Sequence, residues 1–125
     1  MQVRHWFDGK VASVPAARHW LIDQLMVSGR DNRAEDAAMC VSELAANAVD
    51  HTDDGFEVTL WDGDGTIRVA VTDCEDAEPV LRPSDPAGAR GRGILIVDTV
   101  ASRWGVEPAT TIGRRHGKTV WFELD

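Results

Sequence analysis

The chain has 125 residues, a hydrophobic content of 43%, a charged content of 27% and a formal net charge of −8, from 13 Lys+Arg against 21 Asp+Glu. That length fits one domain, residues 1–125, with enough buried surface for one core without metals or disulfides. The acidity speaks against a nucleic-acid binder, which needs a basic face to release counterions, and against adhesion to an anionic membrane.

Val3 to Phe7 reads as a short first strand. A helix is expected from about Pro15 to Ser28, with Ser13 as its cap and Pro early in the first turn. Ala17, Trp20, Leu21 and Leu25 recur on it at helical spacing, and Gly29 stops it. A second helix starts near Asn32, where Asn32 and Glu35 have the spacing of a capping box, and runs to Asp50 or His51. Phe56, Val58 and Leu60 alternate with Glu57, Thr59 and Trp61, the pattern of a half-buried strand. Asp62-Gly63-Asp64-Gly65 is a turn, and Ile67, Val69 and Val71 form the partner strand of a hairpin.

From Cys74 to Arg92 no period survives, and Pro79, Pro83, Pro86, Gly88 and Gly91 mark a long loop. A third helix follows from about Gly93 to Ser102, with Ile94, Val97, Val100 and Ala101 on one side. Trp104 to Pro108 and Lys118 to Leu124 read as a closing antiparallel pair. Helices grouped against a mostly antiparallel, mixed sheet make an α+β two-layer sandwich. Two cysteines, no signal-peptide-like apolar stretch in MQVRHWFDGK and no membrane-length apolar run lead to the expectation of a cytoplasmic protein with reduced thiols.

The second helix is chemically the most informative. At about 100° per residue, Glu43, Asn47, Asp50 and His51 share one arc, opposite Ala37, Ala38, Val41, Leu44, Ala45, Ala48 and Val49. A solvated stripe has the same spacing. This one has no Lys or Arg, and it offers the oxygen donors that a hard cation such as Mg²⁺ prefers, plus a base. Asp73 closes a buried-type strand, where a carboxylate can accept from a ligand amino group or cap the loop.

Gly88-Ala-Arg-Gly-Arg-Gly93 precedes the third helix, as a flexible loop or as a phosphate cradle at a helix N-terminus with Arg90 and Arg92 adding charge. Residues 90–118 hold six basic groups against two acidic ones, an island that suits an anionic ligand, although scattered surface arginines give the same count. Gly113-Arg-Arg-His-Gly117-Lys118-Thr119 looks like a P-loop but is one residue short and leads into a strand, which leaves only Lys118 or Thr119 within reach of a phosphate. The histidines and cysteines are not spaced as zinc ligands, and no nucleophile triad is readable.

Taken together and in order, these motifs resemble the small bacterial ATP-binding anti-sigma-factor serine kinases of the GHKL (gyrase, histidine kinase, MutL) superfamily, with its Bergerat ATP-binding fold. Ser42-Glu43-Leu-Ala-Ala-Asn47-Ala-Val-Asp50-His51 is similar to the N-box, Glu-x-x-x-Asn-Ala-x-x-His. Val69-Ala-Val-Thr-Asp73 resembles the start of the next box, Gly91-Arg92-Gly93-Ile94-Leu-Ile-Val97 the glycine lid box, and Gly117-Lys-Thr-Val-Trp121 the final strand.

The resemblance implies ATP and Mg²⁺ as cofactors. It implies Asn47 as the Mg²⁺ ligand, Glu43 as the base that orients the attacking hydroxyl, and Asp50 and His51 as further members of the nucleotide site. Asp73 would take the adenine amino group, and Arg90, Gly91, Arg92, Gly93 and Ile94 would form the lid over the phosphates. Thr119 would sit beside Asp73. It further implies a serine kinase acting on a STAS-type anti-anti-sigma partner, a sigma factor as a second partner, and a homodimer as in many relatives. The sequence departs from the pattern at Glu75, where relatives usually have Gly, and at Asp50, often basic or neutral in relatives. The alternatives are a catalytically silent docking module, with or without nucleotide, and a plain ATPase in which Glu43 orients water.

Overall fold

The computed structural model describes residues 1–51, 54–73, 89–110 and 116–125; for His51 and residues 89–93, 109–110 and 116 it describes the backbone path. Its elements run β1 (Gln2–Phe7), α1 (Ser13–Val27), α2 (Asp31–His51), β2 (Phe56–Gly63), β3 (Thr66–Asp73), α3 (Ala89–Val100), β4 (Arg103–Thr110) and β5 (His116–Leu124). The five strands form one sheet in the order β1-β2-β3-β5-β4. All four pairings are antiparallel, so the described strands contain no parallel pair of the kind a mixed sheet would need. The architecture is the expected α+β class.

Helix boundaries differ from expectation where local chemistry intervenes. Ser13 is the first residue of α1, and the capping position falls to Ala12, which makes no side-chain cap bond. The C-terminal stop at Gly29 is as expected. Gly29 adopts a φ of +76°, and its N–H donates to the Met26 carbonyl while the Arg30 N–H reaches back to Leu25 at 2.7 Å. These two bonds satisfy carbonyls that the helix end would otherwise orphan, and only glycine enters that conformation without a steric cost. α2 begins at Asp31, so Asn32 lies inside its first turn and not at the cap of a capping box. α3 begins at Ala89, four residues before the expected Gly93. A helix tolerates a glycine at about 1 kcal/mol, and Ala89, Arg90 and Arg92 are good helix formers.

The core lies between the sheet and the helices. Ala17, Leu21 and Leu25 of α1, Ala37, Val41 and Ala45 of α2, and Val97 of α3 are buried against Phe56, Val58, Leu60, Ile67, Val69 and Phe122 of the sheet. α2 is the central helix: it packs against α1 and α3 and lies on β3 and β5. The β2–β3 hairpin closes through Asp64 (φ 41°) and Gly65 (φ 85°), a two-residue turn whose twist matches the strands.

The other sheet face carries tryptophans. Trp121 lies over Gly105, where an added Cβ would meet the indole at 2.8 Å. The Arg68 guanidinium sits 4.3 Å from the Trp121 ring centroid and 5.6 Å from that of Trp61. Among the described residues, no helix is long and apolar enough to cross a membrane.

Candidate functional site

The candidate site is built on the C-terminal half of α2 and the adjoining ends of β3 and β5. The apolar arc of α2 is buried as the helical spacing requires, with Val41 and Ala45 fully inaccessible and Leu44 and Ala48 at 2%. This turns the opposite arc outward: Glu43 and Asn47 are half-buried and Asp50 is exposed. Glu43 and Asn47 are one helical turn apart, so their Cβ atoms are neighbours about 6 Å from each other. His51 is the last residue of the helix.

Four residues separate His51 from Phe56, the first residue of β2. Phe56 is the register partner of Asp73. The chain thus holds the end of α2 to the same end of the sheet as Asp73, within the short reach of five peptide units.

Asp73 is one of two buried polar residues in the described core, at 2% exposure. Its position follows from strand alternation. Ile67, Val69, Val71 and Asp73 share the helix-facing side of β3, and Asp73 is where that apolar row gives way to a carboxylate. Directly across the β3–β5 ladder stands Lys118. Its Nζ lies 3.9 Å from Asp73 Oδ2, with side-chain exposures of 15% and 3%. A buried carboxylate without a compensating cation is expensive, and the Lys118 ammonium is such a cation beside Asp73.

The placement of Thr119 corrects one expectation. Thr119 pairs with Thr72, and their hydroxyls share a 2.8 Å hydrogen bond. Both belong to the alternate positions, on the sheet face opposite Asp73. The residue beside Asp73 is Lys118. The parity of the strand carried that signal: Val120, Phe122 and Leu124 are the apolar positions of β5, and Lys118 is in phase with them.

Gly91 and Gly93 fall within the first turns of α3, as do Arg90 and Arg92, and their side-chain surroundings lie outside the described residues. The glycine-rich segment therefore enters the helix and does not only precede it. Ile94 is half-buried, one turn before the fully buried Val97. The acidic run Glu75, Asp76 and Glu78, most of the long loop and the turn around Gly113 also lie outside the described residues.

Cys40 lies on the buried side of α2. It is free and buried, and burial, reinforced by the charges of Asp36 and Glu43, pushes its thiol up to about 12. It stays protonated at neutral pH and serves as core.

With this geometry in place, the sequence matches the histidine kinase-like ATPase domain family over residues 7–123. The chain belongs to that family. The match spans both the α2 stripe and Asp73, so the fold and the GHKL resemblance rest on more than isolated motifs. The chain is also similar to an uncharacterized protein of Streptomyces coelicolor, 37% identical over 73 residues, which make up 54% of this chain and 69% of the relative. Membership makes this an ATP-binding type of domain.

Proposed function

We propose that this histidine kinase-like ATPase domain binds ATP with Mg²⁺ and transfers its γ-phosphoryl group to a serine of a STAS-type partner, acting as a regulatory serine kinase and anti-sigma factor. The observation that supports this most is the buried Asp73 at the end of β3, beside the helix that carries Glu43 and Asn47 one turn apart.

The donor chemistry fits the ion. Among the described residues, no three His, Cys, Asp or Glu groups cluster closely enough to hold a metal. The Asn47 amide oxygen, with Asp50 nearby and phosphate oxygens and water completing the shell, is the arrangement Mg²⁺ favours. The ion would supply neutralisation of phosphate charge.

The remaining work falls to side chains. Asp73, with Lys118 beside it, accepts a hydrogen bond from the adenine amino group and fixes the base. Asn47 fixes the phosphate end. Glu43 accepts a hydrogen bond from the serine hydroxyl, orients it, and takes its proton as the new O–P bond forms and ADP leaves. Arg90, Arg92, Gly91 and Gly93 would close over the phosphates from the start of α3. Catalysis of this kind is mostly positioning and charge compensation.

Incubation with labelled ATP and a STAS-domain protein tests the reading. Phosphoserine formation that is lost in Asn47→Ala and Glu43→Gln is expected. Tight ATP binding with no transfer would favour a docking module. Phosphate release without a protein acceptor would favour an ATPase.

A further inference from the structure

We infer that the tryptophan-bearing face of the sheet is the contact surface between two copies of this chain, packed sheet on sheet about a two-fold axis that crosses the strands. Association through this face requires no nucleotide.

Among the described residues, the helices cover one face of the sheet and no element covers the other. That open face holds three of the five tryptophans, Trp6, Trp61 and Trp121. Trp6 and Trp61 are 44% and 36% exposed. Two of the rings cover glycines: an added Cβ would meet the Trp6 indole at 2.6 Å from Gly55 and the Trp121 indole at 2.8 Å from Gly105. The Arg68 guanidinium is shared by the rings of Trp61 and Trp121. Tryptophan and arginine are the residues enriched at the centres of protein interfaces, and a broad aromatic platform suits a second sheet. By strand spacing and rise the face is about 20 Å across and about 25 Å long, so two copies cover about 1,000 Å² between them, the least that a specific interface buries.

Charge points to a second copy as the occupant. Two chains of net charge −8 repel, so they meet best where charge cancels. On this face Arg4, Arg68 and Arg103 stand against Glu57, Glu107 and Glu123, with Asp125 just beyond. The register also sorts these charges. Trp61, Arg68, Glu123 and Arg103 are successive partners on one line across β2, β3, β5 and β4. Glu57 and Glu107 lie on a second line, four residues along the strands, joined through Thr72 and Thr119. One line therefore carries two arginines and the other carries glutamates as its only charges. A two-fold axis across the strands lays the arginine line of each copy on the glutamate line of the other, so each favourable contact occurs twice. An axis along the strands would lay Arg68 on Arg68.

The test is sedimentation equilibrium of the full chain without nucleotide, from about 1 to about 100 µM. The wild type should be a dimer over most of that range. Trp6→Thr/Trp61→Thr, which keeps strand-forming residues and removes two exposed rings, should dissociate it about tenfold or more. Glu57→Lys/Glu107→Lys should also weaken it about tenfold or more, by setting lysines against the arginine line. Glu35→Lys/Asp36→Lys makes the same charge change at exposed positions of α2 and should leave the dimer unchanged or tighter.

A wild type that stays monomeric at about 100 µM overturns the inference, and the face is then left for a different protein. A dimer that ignores the tryptophan substitutions overturns it as well, because the copies then meet elsewhere. Loss of the dimer with the tryptophans but not with Glu57→Lys/Glu107→Lys overturns the axis. Circular dichroism checks the fold of each variant. Should Trp6→Thr/Trp61→Thr fail to fold, the two charge reversals decide: equal effects on association count against this face.

Discussion

The two ends of β5 use the same chemistry in opposite surroundings. At one end Asp73 faces Lys118, with side-chain exposures of 3% and 15%. At the other, Arg103 of β4 bridges Glu123 of β5 and Asp125, with exposures of 51%, 21% and 56%. Both are cross-strand pairs of opposite charge. The exposed network is screened by solvent and is nearly dispensable for stability. The buried pair is a different object. Its attraction is offset by desolvation, and loss of one partner strands a charge in the core. A pair that costs this much and stabilises so little is better explained by a ligand than by the fold. That is why the candidate site lies at the Asp73 end.

Substitutions at the two ends should separate these cases. The largest effect is expected from Lys118→Met, which removes the cation paired with the buried Asp73 and should lower the unfolding free energy by about 3–5 kcal/mol in urea denaturation. Removing both charges in Asp73→Asn/Lys118→Met should recover most of that loss while weakening nucleotide binding. A Lys118→Met cost below about 1 kcal/mol would mean that the two ends are equivalent.

Titration offers a second way to contrast buried and exposed groups. The Cys40 thiol is raised from 9.0 to about 12 in the folded chain. Above pH 9 the unfolded chain loses this proton and the native chain keeps it. Stability should therefore fall as pH rises from 9 towards 12, by up to about 1.4 kcal/mol per pH unit from this group. Cys40→Ala should flatten that alkaline slope in thermal melts.

Asp125 shifts the other way, because hydrogen bonds from Arg103 and Thr66 hold its carboxyl below the ordinary value of 3.8. Its contribution is present above that value and disappears as pH falls through its lowered folded value. The smallest effect is expected from Arg103→Ala, a slight drop in Tm that vanishes in molar salt. A large, salt-insensitive drop would show that the exposed network matters more than its solvation allows.

Much of this arrangement was legible in the residues. The alternation in Phe56–Leu60 and Ile67–Val71 placed the hairpin, and Asp64-Gly65 its turn, because period two and a glycine turn leave few other structures. The polar arc of α2 was legible because a 3.6-residue period fixes which residues are opposite the core. Boundaries were less so. Ser13 has the chemistry of a cap but sits inside α1, and glycines at 91 and 93 hid the early start of α3. Both are small local preferences, worth about 1 kcal/mol, that tertiary packing overrides.

The exchange of Lys118 for Thr119 beside Asp73 has a sharper cause. On a strand, one residue of offset moves a side chain to the other face. Lys118 and Thr119 are neighbours in one strand, and the β3–β5 register decides which of them meets Asp73. The cost of a buried Asp–Lys pair was not visible in sequence at all, because it depends on burial by residues distant in the chain.

The most direct test of the account is titration of the purified chain with MgATP, read by calorimetry and by thermal stability. The account predicts saturable binding, a rise in Tm equivalent to about 2.7 kcal/mol at a ligand concentration 100 times Kd, and at least tenfold weaker binding in Asp73→Asn. Absence of heat and of any Tm shift at millimolar MgATP, or an Asp73→Asn variant that binds like the wild type, would contradict it.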